Sequence, residues 1–353
     1  EEEEGLPILI VLAVREGWPS EVVRGAAGLT VPRQGPRTLW MHMEPLPVAA
    51  CLEVGRKSLA LEEDLAALLA GGSRGLPLIA SQAAILWHQS ELVSHREGCL
   101  ELRGTDLPVL KSGTRQIWSA RLGGVTGSDE SLHELLELAA ALGAHVDVNH
   151  WRAAAIQMGL PDPQDWVQRF LSAGLLRNCP GGIAFVHESF KAYLYHTAER
   201  EGRRMAQHKA CARVLMSSGL VHTAQLWERI GRHLLAGGQG DAALPALLRA
   251  AKLHGSRASF ESALGLLVLR DKVMRDLGVD ERNEKWGQGW VFRACMLRGM
   301  GRLDESARIA DRAVDEAQAN GWSAVLPGSL RALALVALDM EDISSAGTLL
   351  RRA

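Results

Sequence analysis

Apolar residues recur at every third or fourth position through most of the chain after Pro47, which is the spacing of one face of an α-helix. The clearest example is LHELLELAAALG, residues 132–143, whose closing Gly143 is a common helix terminator. Leu and Ala dominate the composition, whereas Phe and Tyr number only five and two. These features predict a mainly α-helical protein.

The N-terminal stretch LPILIVLAVRE, residues 6–16, departs from this spacing. It is a short continuous apolar run that ends in Arg15 and Glu16, which predicts a strand buried on both faces of a parallel α/β sheet. TLWMHMEPL, residues 38–46, is a candidate second strand. Because few other strands follow, we expect either a small sheet or further strands N-terminal to residue 1. We expect the chain to be an interior piece of a longer protein.

The middle of the chain alternates helical patterns with short breaks. Helices on either side of GGSRGLP, residues 71–77, precede a strand-like segment at 100–110 and a polar linker to about Ser131. Three helical patterns then lead into an NCPGG turn and the strand IAFV, with Asp162 and Asp165 as candidate N-caps of the third helix. Three helices followed by a β-hairpin is the order of a winged helix.

The C-terminal part contains an internal repeat. Residues 297–317 align with 337–353, so that Leu303 matches Ile343 at a period of 40 residues, and residues 234–254 resemble an earlier copy. Each copy has a helix, a tight turn with Gly or Asp, and a second helix with small residues at close-packing positions. This pattern predicts an α-solenoid of helix pairs, and we expect further repeats to follow.

The net charge and the cysteine content narrow the possible classes of protein. The formal net charge is −2, which gives no electrostatic reason to expect a nucleic-acid partner. The five cysteines are scattered and form no C-x-x-C pair, so neither a disulfide framework nor a zinc site is predicted. The longest apolar run, Leu6 to Val14, is far shorter than the roughly 20 residues that span a bilayer, and four glutamates precede it. We expect a cytoplasmic protein with no membrane partner.

The sequence contains no recognisable catalytic motif. It has no G-x-x-x-x-G-K-[ST], and GRKS at 55–58 lacks the first glycine and the spacing with which a P-loop surrounds a phosphate. HELLE at 133–137 lacks the second histidine of a zinc-protease helix, and Ser189 lies in no G-x-S-x-G elbow. We therefore predict no catalytic residue and no metal ligand in this chain.

Three features have both a functional and a purely structural interpretation. Arg15 ends the predicted strand, where a side chain can reach a bound phosphate in α/β nucleotide folds, or it is a solvated charge at a strand end. Gly75 to Pro77 begin a helix, and proline favours the first helical position without any further role. His187 follows the strand IAFV, and it either forms a hydrogen bond in the core or donates a ring N–H to a phosphate.

Taken in order, these segments resemble one known arrangement. The strand ending at Arg15, the helical region with GLP, the winged-helix pattern through FVHESF and the tetratricopeptide-like repeats follow the order of ATPase core, lid, winged helix and repeat sensor in bacterial STAND-type signal-transduction ATPases. Those of LuxR-type and kinase-linked or cyclase-linked regulators are the most similar. The resemblance extends over nearly the whole chain.

The resemblance implies four segments. Residues 1–50 would be the C-terminal end of an NTPase α/β core and 51–128 a helical lid. Residues 129–200 would be a winged-helix domain and 201–353 an incomplete α-solenoid of tetratricopeptide-like helix pairs.

The resemblance also implies roles for individual residues. Arg15 is similar to the residue that monitors the γ-phosphate at the end of the sensor-1 strand. Gly75 and Pro77 match the G-x-P motif of the lid, whose proline packs on adenine. His187 matches the histidine of a Met-His-Asp motif, which touches the β-phosphate of bound ADP. Val186 and Glu188 replace the flanking Met and Asp.

The implied function is a nucleotide-controlled switch. ADP would hold the resting state between the ATPase core and this chain's lid and winged helix. Exchange for ATP, or a protein or small-molecule effector on the repeats, would release the winged helix and permit self-oligomerisation. Walker A, Walker B and the magnesium-binding acid are absent from this chain, so ATP or ADP with Mg²⁺ is expected only together with a P-loop region N-terminal to Glu1.

Two alternatives remain open at this point. The repeats could form a protein-interaction scaffold without nucleotide control. The winged helix could bind DNA, but the predicted recognition helix, residues 165–176, contains Arg169 as its single basic residue.

Overall fold

The computed structural model describes residues 22–24, 30–32, 41–96, 98–103, 114–219 and 223–353, and it is mainly α-helical, as predicted. These residues divide between two compact units. The first comprises residues up to 81 together with 95–101, and the second comprises 82–94 together with 102–353. The strand predicted at 6–16 lies outside the described residues.

The first unit begins with a short antiparallel hairpin of β1 (Val22–Arg24) and β2 (Thr30–Pro32), in which Val23 pairs with Val31. Residues 41–46 have no regular structure, so the strand predicted at 38–46 is wrong for this part. Proline removes a backbone donor, and Pro45 interrupts the pattern there.

Helices and one small sheet follow. The helices are α1 (Val48–Glu53), which continues as a π-helical turn at Val54–Ser58, α2 (Glu63–Gly72) and α3 (Pro77–Gln89). Strands β3 (Val93–Arg96) and β4 (Cys99–Leu102) pair with each other. Helix α3 begins at Pro77, the residue from which the sequence predicts it.

The region predicted to be a polar linker before Ser131 contains a helix instead, α4 (Thr114–Thr126). Its buried residues Ile117, Trp118, Leu122 and Val125 lie at helical spacing and face one side. Two glycines and several polar residues between these positions hide the periodicity in the sequence. The linker prediction is therefore wrong for residues 114–126.

Residues 130–185 contain the three helices and the β-hairpin predicted from the sequence, with a further two-residue strand after the first helix. The elements are α5 (Glu130–Leu142), β5 (His145–Val146), α6 (Val148–Met158), α7 (Pro163–Ser172), β6 (Leu176–Cys179) and β7 (Gly182–Phe185). The strands form an antiparallel sheet in the order β5–β7–β6. The Asp162 carboxylate accepts a hydrogen bond from the Gln164 backbone N–H at 3.0 Å and caps α7, as predicted.

Helices α8 (Glu188–Arg200) and α9 (Arg204–Ser217) complete the core of this region. One cluster of buried residues includes Leu135 and Trp151, then Phe190 of α8, and finally Ala210 and Val214 of α9. The apolar core therefore extends across position 200, where the resemblance separates the winged helix from the repeats.

A buried ion pair joins α5 to the start of α9. Glu137 is 1% exposed, and its carboxylate accepts hydrogen bonds from Arg203 Nε at 2.9 Å and Nη2 at 2.7 Å. Gln207 Nε2 donates a third bond at 3.2 Å. Removing the arginine would leave a carboxylate buried without its counter-ion, which typically costs about 3–5 kcal/mol.

The repeats consist of antiparallel helices in sequence order. They are α10 (Ala224–Ala236), α11 (Gly240–Gly255), α12 (Phe260–Asp276), α13 (Glu284–Gly299), α14 (Leu303–Ala319), α15 (Leu326–Asp339) and α16 (Ile343–Arg352). Leu303 and Ile343, matched in the sequence repeat, are the first residues of α14 and α16. Helix α13 packs against both α11 and α15, so these three lie side by side in one layer.

Two buried histidines connect α8, α9 and α10. His208 Nδ1 lies 2.8 Å from His233 Nδ1, and the Tyr195 hydroxyl lies 3.2 Å from His208 Nε2. The two histidines are 6% and 7% exposed. Because a hydrogen bond between two imidazoles needs one unprotonated nitrogen, charging both rings would oppose two N–H donors across 2.8 Å.

Burial keeps both rings neutral. It lowers the pKa of His208 to about 4, with a smaller contribution from Arg204. It lowers the pKa of His233 to about 3, with smaller contributions from His208 and Arg229. The unfolded chain, in which histidine has a pKa of about 6.5, binds more protons than the folded chain below that pH. These two histidines therefore lower the free energy of unfolding progressively as the pH decreases below about 6.5.

We expect the urea midpoint of unfolding to fall as the pH is lowered from about 7.5 to about 5. In His233→Asn this loss should be clearly smaller, because one group that binds a proton only on unfolding is removed. His196→Asn, at an exposed position of α8, should retain the wild-type loss. Equal pH dependence in wild type and His233→Asn would contradict the assignment.

Candidate functional site

His187 lies between β7 and α8 and is the N-cap residue of α8, with an extended backbone. Its carbonyl accepts the first helical hydrogen bonds, from the N–H groups of Phe190 and Lys191 at 3.1 and 3.3 Å. Pairing of β7 with β5 and β6 fixes the approach of the chain. The histidine is therefore held by backbone structure on both sides, while its side chain remains half-buried.

An aromatic wall borders the imidazole. The centre of the Trp118 ring lies 5.7 Å from that of His187, and Phe190 packs on the same indole at 5.0 Å. Trp118 is 2% exposed. This wall excludes water from one face of the histidine.

Gln82 connects the histidine to an arginine. The Gln82 Oε1 accepts a hydrogen bond from Arg121 Nη1, so its amide nitrogen must be the atom 3.1 Å from His187 Nε2. That amide nitrogen is a donor only, and His187 Nε2 must therefore be the unprotonated acceptor. The proton of the neutral ring then resides on Nδ1, which has no hydrogen-bond partner among the described residues.

Arg121 is a buried cation that has no counter-ion within the described ranges. It is 2% exposed, and its Nη2 donates to the Ala173 carbonyl. It forms no ion pair with any carboxylate in the part of the chain that the structure describes. Burial lowers the pKa of Arg121. Burial and the charge of Arg121 together lower the pKa of His187.

Three donors around His187 have no hydrogen-bond acceptor among the described residues. They are Trp118 Nε1, Arg121 Nε and the hydroxyl of Ser189. Buried donors normally find acceptors, and each unsatisfied one costs free energy. Unused donors next to an uncompensated cation make this region electrostatically suited to an anion, and phosphate oxygens would supply the missing acceptors.

The residues Gly75 and Pro77 belong to the first unit. Gly75 has φ +76°, and a Cβ on it would lie 2.5 Å from the Leu46 carbonyl oxygen and 2.8 Å from the Leu46 nitrogen. Leu46 N–H also donates to the Gly75 carbonyl at 2.8 Å. Gly75 is thus required for a close backbone approach. Pro77 is the first residue of α3, and its ring is exposed.

The four residues predicted from the sequence therefore have different outcomes. Arg15 lies outside the described residues. Gly75 and Pro77 lie within one turn of the first unit, and His187 lies in the second unit. Their roles toward a nucleotide stay predictions. Sequence reasoning missed Gln82 and Arg121, although the spacing of Ile117, Trp118, Arg121, Leu122 and Val125 is helical and could have revealed an arginine on a buried face.

Two further properties concern the described residues as a whole. They contain no group of three or more His, Cys, Asp or Glu side chains arranged to hold a metal ion. Within the same ranges, no helix combines the length and apolar character needed to cross a membrane.

Gly75→Ala should destabilise the first unit by more than the cost of a positive φ alone, which is about 1–2 kcal/mol, because the added Cβ meets backbone atoms. Gly98→Ala is the matched control, since Gly98 has φ +86° and open space around its Cβ position. Urea unfolding of both variants measures the difference. An equal loss of the free energy of unfolding in both variants would show that the close approach of Gly75 to Leu46 does not affect stability.

Gln82→Glu should raise the pKa of His187 by more than one unit. The new carboxylate would form an ion pair with Arg121 and would accept a hydrogen bond from a protonated His187 Nε2. This hydrogen bond stabilises the imidazolium. NMR titration of the His187 ring resonances measures this, with Gln89→Glu at the exposed end of α3 as the control. An unchanged His187 pKa in Gln82→Glu would refute the assigned hydrogen-bond direction.

The sequence of this chain has little similarity to the sequences of known proteins. No protein-family model matches the chain, and no curated protein matches it. Among solved structures, it is similar to the crystal structure of a STAND (signal transduction ATPase with numerous domains) protein with a tetratricopeptide repeat sensor from Pyrococcus horikoshii, with a TM-score of 0.32 and 10% identity. The match covers 86% of this chain and 58% of that one, so the chain spans a little more than half of the length of that protein.

Proposed function

We propose that this chain is the lid, winged-helix and repeat part of a STAND-type signal-transduction ATPase, and that His187 senses the phosphate groups of bound ADP. The observation that carries this proposal is the buried Arg121, which has no carboxylate partner in the described ranges and connects through Gln82 to His187. A phosphate placed at His187 would provide the negative charge that the described residues do not supply there.

The protonation state of His187 suits this role. A neutral ring whose Nε2 is engaged by Gln82 presents Nδ1–H as a donor. The phosphate oxygen would accept that proton without requiring the histidine to be charged. The unsatisfied donors of Trp118, Arg121 and Ser189 fit the same acceptor-rich group. The residues present therefore fit a phosphate.

The shared core suggests what moves when the nucleotide changes. Helices α8 and α9 pack in one apolar cluster with the winged-helix elements, and Glu137 binds Arg203 and Gln207 across it. In the proposed switch, the winged helix and the first repeat helix move as one body. Loss of the contact at His187 would release this body, and a nucleotide stabilises the resting state only by its preference for that state.

Nucleotide binding and effector binding would be supplied by different segments of the proposed switch. This chain supplies no P-loop, so nucleotide binding and any hydrolysis with Mg²⁺ would require a P-loop segment of the same polypeptide. The repeats would bind the effector or protein partner. The runner-up function, a scaffold without nucleotide control, leaves the uncompensated Arg121 without a role.

In the polypeptide that joins this chain to its P-loop segment, His187→Ala should release ADP at least about tenfold faster, since one charge-assisted contact is lost. Basal activity should rise for the same reason. Nucleotide retained after gel filtration and ADP exchange rates measure the effect. His196→Ala on the exposed side of α8 is the matched control. Unchanged ADP retention in His187→Ala would rule out the sensing role.

A further inference from the structure

A row of cations and one aromatic ring crosses the layer formed by α11, α13 and α15. On α11, the ammonium of Lys252 lies 4.3 Å from the centre of the Phe292 ring of α13. Lys252 is exposed and Phe292 is half-buried. Lys252 forms no ion pair with a described carboxylate.

The row continues one helix further. Cys295 lies one turn after Phe292 on α13. Cys295 packs against the cluster that contains Ala332 of α15. Burial raises the pKa of the Cys295 thiol, while the positive charges of Arg298 and Arg331 oppose that rise. Arg331 of α15 is exposed and has no ion-pair partner in the described ranges. Arg298 lies 3.6 Å from Asp339.

Helix α12 contains a further, buried cation, whose pKa is lowered by burial and raised in part by the buried Asp271 carboxylate. Arg270 of α12 is 1% exposed, and its Nε and Nη1 have no hydrogen-bond partner among the described residues. Burial lowers the pKa of Lys252, and the positive charge of Arg270 lowers it further. Arg293 binds Asp271 at 2.6 Å. Of these five cations, only Arg293 and Arg298 have a carboxylate within ion-pair distance among the described residues.

We propose that this surface, defined by Lys252, Phe292, Cys295, Arg298 and Arg331, binds an acidic peptide segment of a partner protein. The proposal names the partner chemistry for the repeat half of the proposed function and does not depend on nucleotide control. Charge complementarity supports the assignment, because carboxylates would supply the negative charge that Lys252 and Arg331 lack.

The spacing of the helices sets the length of the peptide. Neighbouring packed helices lie about 8–10 Å apart, so the span from α11 to α15 is about 20 Å. An extended peptide rises about 3.3 Å per residue, and about six residues cover that distance. Alternate side chains of such a peptide point to the same face, so acidic residues at every second position would all reach the row. A nucleic acid is a poorer fit, because the whole chain carries a net charge of −2.

The test uses the 353-residue chain and a fluorescein-labelled octapeptide of alternating Glu and Ala in fluorescence anisotropy at low and moderate salt. Lys252→Glu/Arg331→Glu should weaken binding at least about tenfold, because two attractive contacts become repulsive. Lys272→Glu/Arg275→Glu changes the net charge equally at exposed positions of α12 and should change affinity less than about twofold. Circular dichroism melting confirms that both variants are folded.

Each other outcome overturns the proposal. These outcomes are equal weakening by the two double variants, equal binding of a Gln and Ala octapeptide, and no binding by the wild-type chain at low salt. Tighter binding of a single-stranded octanucleotide would reassign the surface to nucleic acid. Release of ADP is measured separately in the longer polypeptide, so loss of peptide binding without a change in ADP release distinguishes this surface from the site at His187.

Discussion

The position of the buried Glu137 carboxylate constrains the whole second unit. A charge that is 1% exposed is tolerated only when its partners are in place, and those partners, Arg203 and Gln207, lie at the start of the first repeat helix. The register of α9 against α5 is therefore fixed by electrostatics as well as by apolar packing. Helices α5 to α9 therefore share one core across position 200, where the sequence resemblance divides the chain.

Arg121 represents the opposite situation, a buried charge that has no counter-ion in the part of the chain that the structure describes. The Gln82 side-chain amide partly compensates for the lack of a counter-ion there. Its oxygen accepts a hydrogen bond from the guanidinium, and its nitrogen donates one to His187. Such an arrangement lowers stability relative to a paired charge. Its persistence next to a half-buried histidine is consistent with a ligand-binding role for the site, since binding sites commonly retain groups that the fold alone does not satisfy.

The parts of the fold that the sequence predicted are those with a strong local signal. Gly143 follows α5, Asp162 caps α7, and the 40-residue repeat places Leu303 and Ile343 at helix starts. Helix α4 was missed because Gly123, Gly124 and several polar residues lie between its apolar positions and hide their helical spacing. The site was only partly predictable for the same reason. The residues around His187 in the sequence are recognisable, but its hydrogen bond to Gln82, and through Gln82 the connection to Arg121, joins residues 105 and 66 positions away in the chain.

Helix α8 connects His187 to α9 as a single continuous element. Its 13 residues span about 20 Å, with His187 at one end and the connection to α9 at the other. A tilt of about 5° about the α9 end would displace the other end by about 1.7 Å. The 3.1 Å contact between Gln82 and His187 does not survive such a displacement. A rotation of a few degrees is therefore sufficient to disconnect the histidine from the arginine.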